Sequence, residues 1–210
     1  MKLPLFILVS MSLVACSEPI SDMPRFAAED VADGAPLLEI APKDSKNGPP
    51  LAALSGPVPF GKVVKNCSVR GKQLGKAVEK HPARSPKYKL YDSKPGATGL
   101  RTFYVTGFAD GCARQFSAAL AVFGSVTLHE QIRYGLPAEI HPYSDTDKAY
   151  DKLKSKTCGV PKRKPCGRKI SRLERGTVFL SIYERFGGNA RWNNVLLHNG
   201  RIAAQDRKGV

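Results

Sequence analysis

The residues best suited to chemistry in this chain are a run of bases from Lys148 to Arg175. These 28 residues hold eleven lysines and arginines against two acids, a net charge of +9. Such a run attracts anionic polymers and anionic lipid head groups. The bases that we expect to form an anion-binding patch are Lys154, Lys156, Lys162, Arg163, Lys164, Arg168, Lys169 and Arg172. The alternative is a solvated surface that only keeps the protein in solution.

Residue types that support catalysis are scattered along the chain. His129-Glu130 matches the start of the zinc pattern H-E-x-x-H, but Arg133 stands where the second histidine is needed. We instead expect Glu130 to close a capping box with Thr127 at the start of a helix. The sequence contains no phosphate loop, dinucleotide motif or nucleophile elbow. It therefore predicts no metal and no cofactor, and it identifies no catalytic residue.

The first sixteen residues set the cellular context. Lys2 precedes an apolar run from Leu3 to Val14, which is too short to cross a membrane, since a spanning helix needs about 20 residues. A short apolar core after a basic start is typical of a cleaved export signal. Its end, Leu13-Val14-Ala15-Cys16, resembles the lipobox of bacterial lipoproteins. The alternative is an ordinary secretory signal that is cleaved after Ala15.

The lipoprotein resemblance implies a place and an anchor. Residues 1–15 would be removed, and Cys16 would carry two or three acyl chains that hold the protein on a membrane. The location implied is the bacterial cell envelope. Ser17 replaces the aspartate that retains such proteins at the inner membrane, which favours the outer membrane with the protein facing the periplasm. Export makes nucleic acid an unexpected partner.

The remaining four cysteines predict disulfides once Cys16 is assigned to lipid. They are Cys67, Cys112, Cys158 and Cys166, and an even number in an exported chain is typical of a disulfide framework. Four cysteines allow three connectivities. We favour Cys158–Cys166, which closes a short proline-containing loop, and Cys67–Cys112. A zinc site is the alternative, but no C-x-x-C pair is present.

Charge divides the chain into an acidic tether and a basic domain. Residues 16–57 are rich in proline and alanine, and Ser17 to Asp44 holds seven acids against two bases, a net charge of −5. This composition is typical of a flexible linker. Val58 to Val210 holds 29 bases against 11 acids, a net charge of +18. We therefore predict a lipidated tether over 16–57 and one globular domain over 58–210.

The domain has the pattern of an α+β fold. We predict an antiparallel sheet of about five strands, ending in a meander, with three or four helices on one face. The apolar and β-branched runs place strands at Tyr88–Tyr91, Leu100–Phe108, Val178–Phe186, Trp192–Leu197 and Arg201–Gln205. Asn199-Gly200 between the last two runs is a strong hairpin signal.

Helices are predicted mainly between the two groups of strands. Phe116, Leu120 and Phe123 fall at i, i+4 and i+7, one face of a helix over 112–123. The other predicted helices are Leu74–Glu79, Thr127–Gly135, one from Ser144 to about Lys156, and a short basic helix around Ile170 and Leu173.

Three functions fit these features. The first is a membrane-anchored binding module for lipopolysaccharide, anionic phospholipid or an acidic partner protein. The second is an envelope hydrolase, whose site would have to be assembled from unlinked residues such as His129, Glu130 or Asp110. The third is a structural or assembly lipoprotein. The charge favours a binding module over an enzyme.

Overall fold

The computed structural model describes residues 57–137, 142–187 and 191–208. The chain divides into two units, Met1–Lys46 and Asn47–Val210, and every described residue belongs to the second. The signal-like segment, Cys16, almost all of the predicted tether and His141 lie outside the described residues, so the predictions for them stay predictions.

The described chain is an α+β fold built on two antiparallel sheets. The strands are β1 Val64–Asn66, β2 Lys76–His81, β3 Tyr88–Asp92, β4 Arg101–Thr106, β5 Ala113–Ala118, β6 Leu120–Gly124, β7 Thr177–Tyr183, β8 Trp192–His198 and β9 Arg201–Lys208. The five-stranded sheet has the order β1-β5-β4-β3-β2, and the four-stranded sheet has the order β6-β7-β8-β9.

The helices are α1 Val126–Gly135, α2 Asp145–Cys158 and α3 Ile170–Glu174. Two short 3₁₀ turns cover Gly71–Leu74 and Gly167–Lys169. Within the described residues, no helix is both long enough and apolar enough to cross a membrane.

Alternation along β7 separates two hydrophobic clusters. Val178, Leu180 and Ile182 pack with Phe103 and Phe116 of the five-stranded sheet, so the two sheets share one core. Phe179 belongs to the second cluster, which contains residues of all three helices and the buried disulfide: Val126, Tyr150, Cys158, Cys166, Leu173 and Leu196. Phe179 and Leu196 of the four-stranded sheet therefore pack with residues of the helices in a cluster separate from the shared core.

The prediction of one sheet and of a helix over 112–123 is wrong. This segment forms β5 and β6, which follow one another in the chain but belong to different sheets. Phe116 stacks on Phe103 across the ladder at 5.8 Å, and Phe123 lies opposite Leu180. Because β5 is buried on both faces over most of its length, its apolar residues do not alternate, and a doubly buried strand is easily taken for a helix.

The helix predicted at Leu74–Glu79 is also wrong. Gly75 ends the 3₁₀ turn with φ of +89°, and a Cβ there would meet the carbonyl oxygen of Asp92 at 2.3 Å. This close approach aligns β2 with β3. Three other local predictions are confirmed: the Asn199-Gly200 hairpin, the short helix at Ile170, and the helix that Ser144 opens with a capping box to Asp147.

Candidate functional site

Both disulfides form in the pairing that the sequence favoured. Cys67–Cys112 links the segment after β1 to the residue before β5. Cys158, the last residue of α2, pairs with Cys166 and closes the loop 159–165, which we call the basic loop. The predicted triplet Lys162-Arg163-Lys164 lies in the middle of this loop, and all three residues are exposed.

Two buried carboxylates hold the backbone of the basic loop from beneath. Glu130 of α1 accepts the amide of Cys166 at 3.0 Å and the hydroxyl of Tyr150 at 2.7 Å. Asp151 of α2 accepts the amide of Arg163 at 3.2 Å. Arg163 has φ of +61°, which is uncommon for a residue with a Cβ, and the bond to Asp151 stabilises that conformation. The loop is thus fixed at its middle and at its end.

Lys154 does not belong to the predicted surface patch. Its side chain is 0% exposed, and its Nζ lies 2.6 Å from Asp151 Oδ1 and donates to the hydroxyl of Tyr134. Burial opposes ionisation of Asp151, but the bonds from Lys154, Tyr143 and the Arg163 amide outweigh it and hold the pKa of Asp151 below its usual range. Lys154 is therefore a structural counter-ion, because a buried charge must be paired.

The other seven bases of the predicted patch are exposed. They are Lys156, Lys162, Arg163, Lys164, Arg168, Lys169 and Arg172. Lys169 also donates to the carbonyl of Cys158 at 3.0 Å, which places a positive charge at the C-terminus of α2. The seven side chains follow one continuous stretch from the end of α2 through the basic loop to α3, so they present a dense cationic surface.

The positive field extends to the tip of the last hairpin. His198, at the end of β8, has its pKa lowered by burial and by the charges of Lys87 and Lys156. Lys87 also donates to Asn199 Oδ1 at 3.1 Å. A base beside β3 and a base of α2 therefore act on the same imidazole, although they are distant in sequence.

In helix α1 the usual pattern of buried apolar and exposed charged residues is inverted, and Glu130 does not have the capping role predicted for it. The cap of α1 is Ser125, whose Oγ accepts the Leu128 amide at 3.1 Å, and Thr127 instead donates to Glu174. Glu130 is buried beneath the basic loop. In contrast, Leu128, Ile132 and Leu136 are 50%, 42% and 47% exposed at i, i+4 and i+8. The helix therefore buries an acid and exposes an apolar stripe.

A cavity of about 600 Å³ lies beside this stripe. Its lining comes from α1, the residues that open α2, and the face of the four-stranded sheet. The lining residues are Gly124, Ser125, Leu128, His129, Ile132, Arg133, Pro142, Tyr143, Ser144, Asp147, Phe179, Ser181, Trp192, Asn194 and Arg207. Its size falls in the range of sites for small molecules, about 300–1,000 Å³.

A histidine and a carboxylate meet in the wall of this cavity. His129 Nε2 lies 3.4 Å from Asp147 Oδ1, and the His129 ring stacks on Phe179 at 4.1 Å. Burial opposes ionisation of Asp147, but bonds from Arg133 and from the amide and hydroxyl of Ser144 outweigh it and keep the pKa of Asp147 below its usual range. Asp147 thus joins α1 to the start of α2.

One aromatic side chain connects the cavity to the basic loop. Tyr143 lines the cavity, and its hydroxyl donates to Asp151 beneath the loop. Two guanidinium groups lie over its ring, Arg133 of α1 at 4.6 Å and Arg163 of the loop at 5.1 Å from the centroid. Such stacked arginines gain cation–π stabilisation. An arginine of the cationic surface therefore contacts a side chain that lines the cavity.

Asp110, the third residue that the sequence offered for a hydrolase site, and the histidine His81 do not line this cavity. Asp110 lies at the turn before β5 and pairs with Arg114 at 2.9 Å and Lys65 at 3.0 Å. His81 bonds the carbonyl of Glu174. Across residues 57–137, 142–187 and 191–208, no three His, Cys, Asp or Glu side chains are placed to hold a metal ion.

Comparison of the chain with protein-family models, with curated proteins and with solved structures gives no match. The sequence reasoning found the basic loop but missed the cavity. The spacing of Leu128, Ile132 and Leu136 was a usable signal, but an apolar stripe on a helix is ordinarily assigned to the core. The pairing of His129 with Asp147 had no signal, because 18 residues and a change of helix separate them.

Proposed function

We propose that the protein is a lipid-anchored lipoprotein of the bacterial envelope whose basic domain binds anionic envelope components. The primary ligands are lipopolysaccharide and anionic phospholipid surfaces. The anchor rests on the lipobox resemblance at Leu13 to Cys16, and the outer membrane facing the periplasm is the location that Ser17 favours.

The observation that carries the proposal is the fixed geometry of the basic loop. A solvated charge run needs no support, whereas this loop is closed by Cys158–Cys166 and bonded through its backbone to Glu130 and Asp151. Its basic side chains remain exposed. A cationic surface held in one conformation loses little entropy when it binds, which raises its affinity for an anionic partner.

Charge and tethering support binding in the same way. Each base near an anionic lipid surface contributes about 1 kcal/mol at physiological ionic strength. Seven exposed bases in one stretch are therefore enough for measurable adsorption, and the lipid on Cys16 would keep the domain at high effective concentration near that surface.

The anchor is tested by Cys16→Ala in cells supplied with labelled palmitate. We expect the wild-type chain to carry the label and to sediment with membranes, and the variant to lose both properties. A variant that stays labelled would refute lipidation at Cys16. A wild-type chain that carries no label would favour the ordinary secretory signal.

The ligand surface is tested by vesicle flotation with the full chain carrying Cys16→Ser, so that the lipid does not mask the result. We expect adsorption to vesicles containing phosphatidylglycerol, weakening with added salt. Reversal of Lys162, Arg163 and Lys164 to Glu should abolish it. The matched control reverses the exposed Lys72, Lys76 and Lys80 to Glu and should retain most of it.

The same two triple variants distinguish an assembly role. If the wild-type chain shows no salt-sensitive adsorption to anionic vesicles or lipopolysaccharide, direct lipid binding is refuted. Capture of an envelope protein that depends on the loop charges would then support an acidic protein partner or a structural lipoprotein. Equal adsorption by the two triple variants would show that overall charge, rather than the loop, controls binding.

The His129–Asp147 pair favours a second candidate, an envelope hydrolase. A histidine beside a carboxylate is the arrangement of a general base, and Ser125 and Ser181 line the same cavity. This candidate predicts turnover of cell-wall fragments or acyl esters that His129→Gln abolishes while the fold survives. Absence of turnover in the wild-type chain would reject it.

A further inference from the structure

The five-stranded sheet has an outer face, turned away from the core that the two sheets share. Leu90, Phe103 and Phe116 belong to that core, so the residues that alternate with them along β3, β4 and β5 point to the outer face. Tyr91 and Tyr104 are cross-strand partners on this face, and both are partly exposed. We call them the tyrosine pair. The outer face thus presents two aromatic rings from neighbouring strands.

Two lysines are also cross-strand partners on the outer face. Lys80 of β2 stands opposite Lys89 of β3, and we call them the lysine pair. Lys89 precedes Tyr91 by two residues, which places the two pairs about 7 Å apart along the strand. Both lysines are exposed, and none of the described carboxylates forms an ion pair with either. Because like charges directly opposite one another destabilise a sheet, an anion bound between them would relieve a cost of the fold.

The rest of the outer face is polar and uncharged. Asn66 donates to Gln115 at 2.8 Å beside the tyrosine pair, and Thr102 stands opposite Ser117. Ser117 is 5% exposed, and its hydroxyl has no hydrogen-bond partner among the described residues. Along β1 to β5 the outer face carries hydroxyls and amides but no Asp or Glu. Such a surface suits a ligand that is rich in hydroxyl groups and carries negative charge.

We propose that the outer face of the five-stranded sheet binds an anionic polysaccharide, whose sugar rings stack on the tyrosine pair and whose carboxylates meet the lysine pair. The C–H groups of a pyranose ring pack on the negative face of an aromatic ring. Each lysine supplies a point charge for a carboxylate, and the hydroxyls and amides nearby can bond the sugar hydroxyls. These residues belong to a different sheet from the one that carries the helices and the basic loop, so the inference does not rest on the function proposed above.

The ligand class is tested by calorimetric titration of the full chain carrying Cys16→Ser. The probe is the hexamer of galacturonic acid, and we expect saturable binding. Its methyl ester has the rings without the charge, and hexaglutamate has the charge without the rings. Each should bind about tenfold more weakly. No binding of the acid, or equal binding of either comparison ligand, would overturn the proposal. Tighter binding of hexathymidylate would assign the face to single-stranded nucleic acid and overturn it as well.

Matched variants test the stacking. Tyr91→Thr and Tyr104→Thr keep residues that suit strands, and each should weaken hexagalacturonate about fivefold. The control is Tyr183→Thr, since Tyr183 is also a partly exposed strand tyrosine but belongs to the four-stranded sheet. It should bind as the wild type does. Urea unfolding shows which variants keep the fold. Equal weakening in all three folded variants, or no weakening in any, would overturn the assignment.

The lysine pair is tested without disturbing the rings. Lys80→Gln with Lys89→Gln should remove the preference for hexagalacturonate over its methyl ester, and should not lower the free energy of unfolding, because the like-charge contact is lost. The control, Lys72→Gln with Lys76→Gln, changes the net charge equally at exposed positions outside the pair and should retain the preference. Equal loss in the two double variants would overturn the role of the pair. The triple reversal of the basic loop should abolish vesicle adsorption but leave this preference, which separates the site from the proposed function.

Discussion

The two disulfides of the domain close over different surroundings. Cys158–Cys166 is buried and lies against carboxylates that accept backbone amides of the loop it closes. Cys67–Cys112 lies near Asp110, an exposed carboxylate that bonds Arg114 and Lys65 at the surface. Both regions contain acids, bases and a cystine. In one region these groups form a framework, and in the other they remain solvated.

Burial of the charged groups explains why they form a framework in one region and remain solvated in the other. A buried ion pair leaves an uncompensated charge when one partner is removed, whereas an exposed pair is replaced by water at little cost. Helix α2 contains both cases at the same spacing. Asp151–Lys154 is buried at 2.6 Å, and Asp145–Lys148 is exposed at 2.9 Å. This helix therefore offers an internal control for the comparison.

The largest effect is expected from breaking the buried pair of α2. Lys154→Ala should lower the free energy of unfolding by about 3–5 kcal/mol, because Asp151 is left buried without its cation. Lys148→Ala, at the same i,i+3 spacing, should cost about 0–1 kcal/mol. Urea unfolding of the two variants measures both. Similar losses in the two would show that the cluster beneath the basic loop is not a framework.

The next effect separates stability from binding. Changing both Cys67 and Cys112 to Ala should lower the free energy of unfolding by about 4 kcal/mol, because this disulfide bridges 45 residues. The same change at Cys158 and Cys166 should lower it by about 2.5 kcal/mol, because that disulfide bridges only 8 residues. Vesicle adsorption should show the opposite order. Loss of Cys158–Cys166 frees the basic loop and should weaken adsorption, whereas loss of the longer-range disulfide should not. Parallel changes in both measurements would contradict the comparison.

The sequence could predict the features that depend on nearby residues, and it could not predict those that depend on burial by distant ones. Local signals fixed α2 and the last hairpin correctly, because Ser144, Asp147 and Asn199-Gly200 act within a few residues. The sequence left three disulfide connectivities open, and the one that we favoured is present in the structure. The segment 112–123 was predicted wrongly because it crosses from one sheet to the other and is buried on both sides, so its environment depends on strands far away in sequence.

In the candidate site, too, only the features that depend on nearby residues could be predicted. The charge count located the predicted patch, and seven of its eight bases are exposed. Lys154 was misassigned because burial of a lysine depends on Asp151 and Tyr134 arriving around it. Glu130 had a plausible local explanation at a helix start, yet its partners are Tyr150 and Cys166, 20 and 36 residues away. Contacts of that range have no signature in a single sequence.

Acid should destabilise the helix region more than the Asp110 surface. The pKa of Asp147 is held below its usual value, so its contribution is complete above about pH 4, the unfolded pKa of an aspartate, and is lost as pH falls through its folded pKa. Asp147→Asn should cost about 2 kcal/mol at pH 7, the scale of a hydrogen bond to a charged group, and should flatten the acid limb of the stability curve.

The control for that prediction is Asp110→Asn. The pKa of Asp110 is also lowered, by bonds from Arg114 and Lys65, but its carboxylate is in solvent. Salt screens such a pair, so any effect of Asp110→Asn should shrink between low and high ionic strength, and that of Asp147→Asn should persist. Urea unfolding from pH 2 to 7 at two salt concentrations measures this. If high salt removed the stability loss of Asp147→Asn, Asp147 would belong with the solvated carboxylates such as Asp110.

The smallest effect concerns a carboxylate between these two cases. Glu79 of β2 is half-buried and accepts the amide of Phe123 at 2.8 Å, which joins the edges of the two sheets, but none of the described cations forms an ion pair with it. Burial raises the pKa of Glu79 despite that hydrogen bond and the nearby His81. Its folded pKa therefore exceeds its unfolded one, and its charged form lowers stability once pH rises above the folded value.

Glu79→Gln keeps an acceptor for Phe123 without the charge. It should raise the free energy of unfolding by about 0.5 kcal/mol at pH 7, and this gain should disappear at pH 4, where Glu79 is protonated in the folded wild type. A loss of stability at pH 7 would show that the charge itself, and not only the hydrogen bond, holds the two sheet edges together.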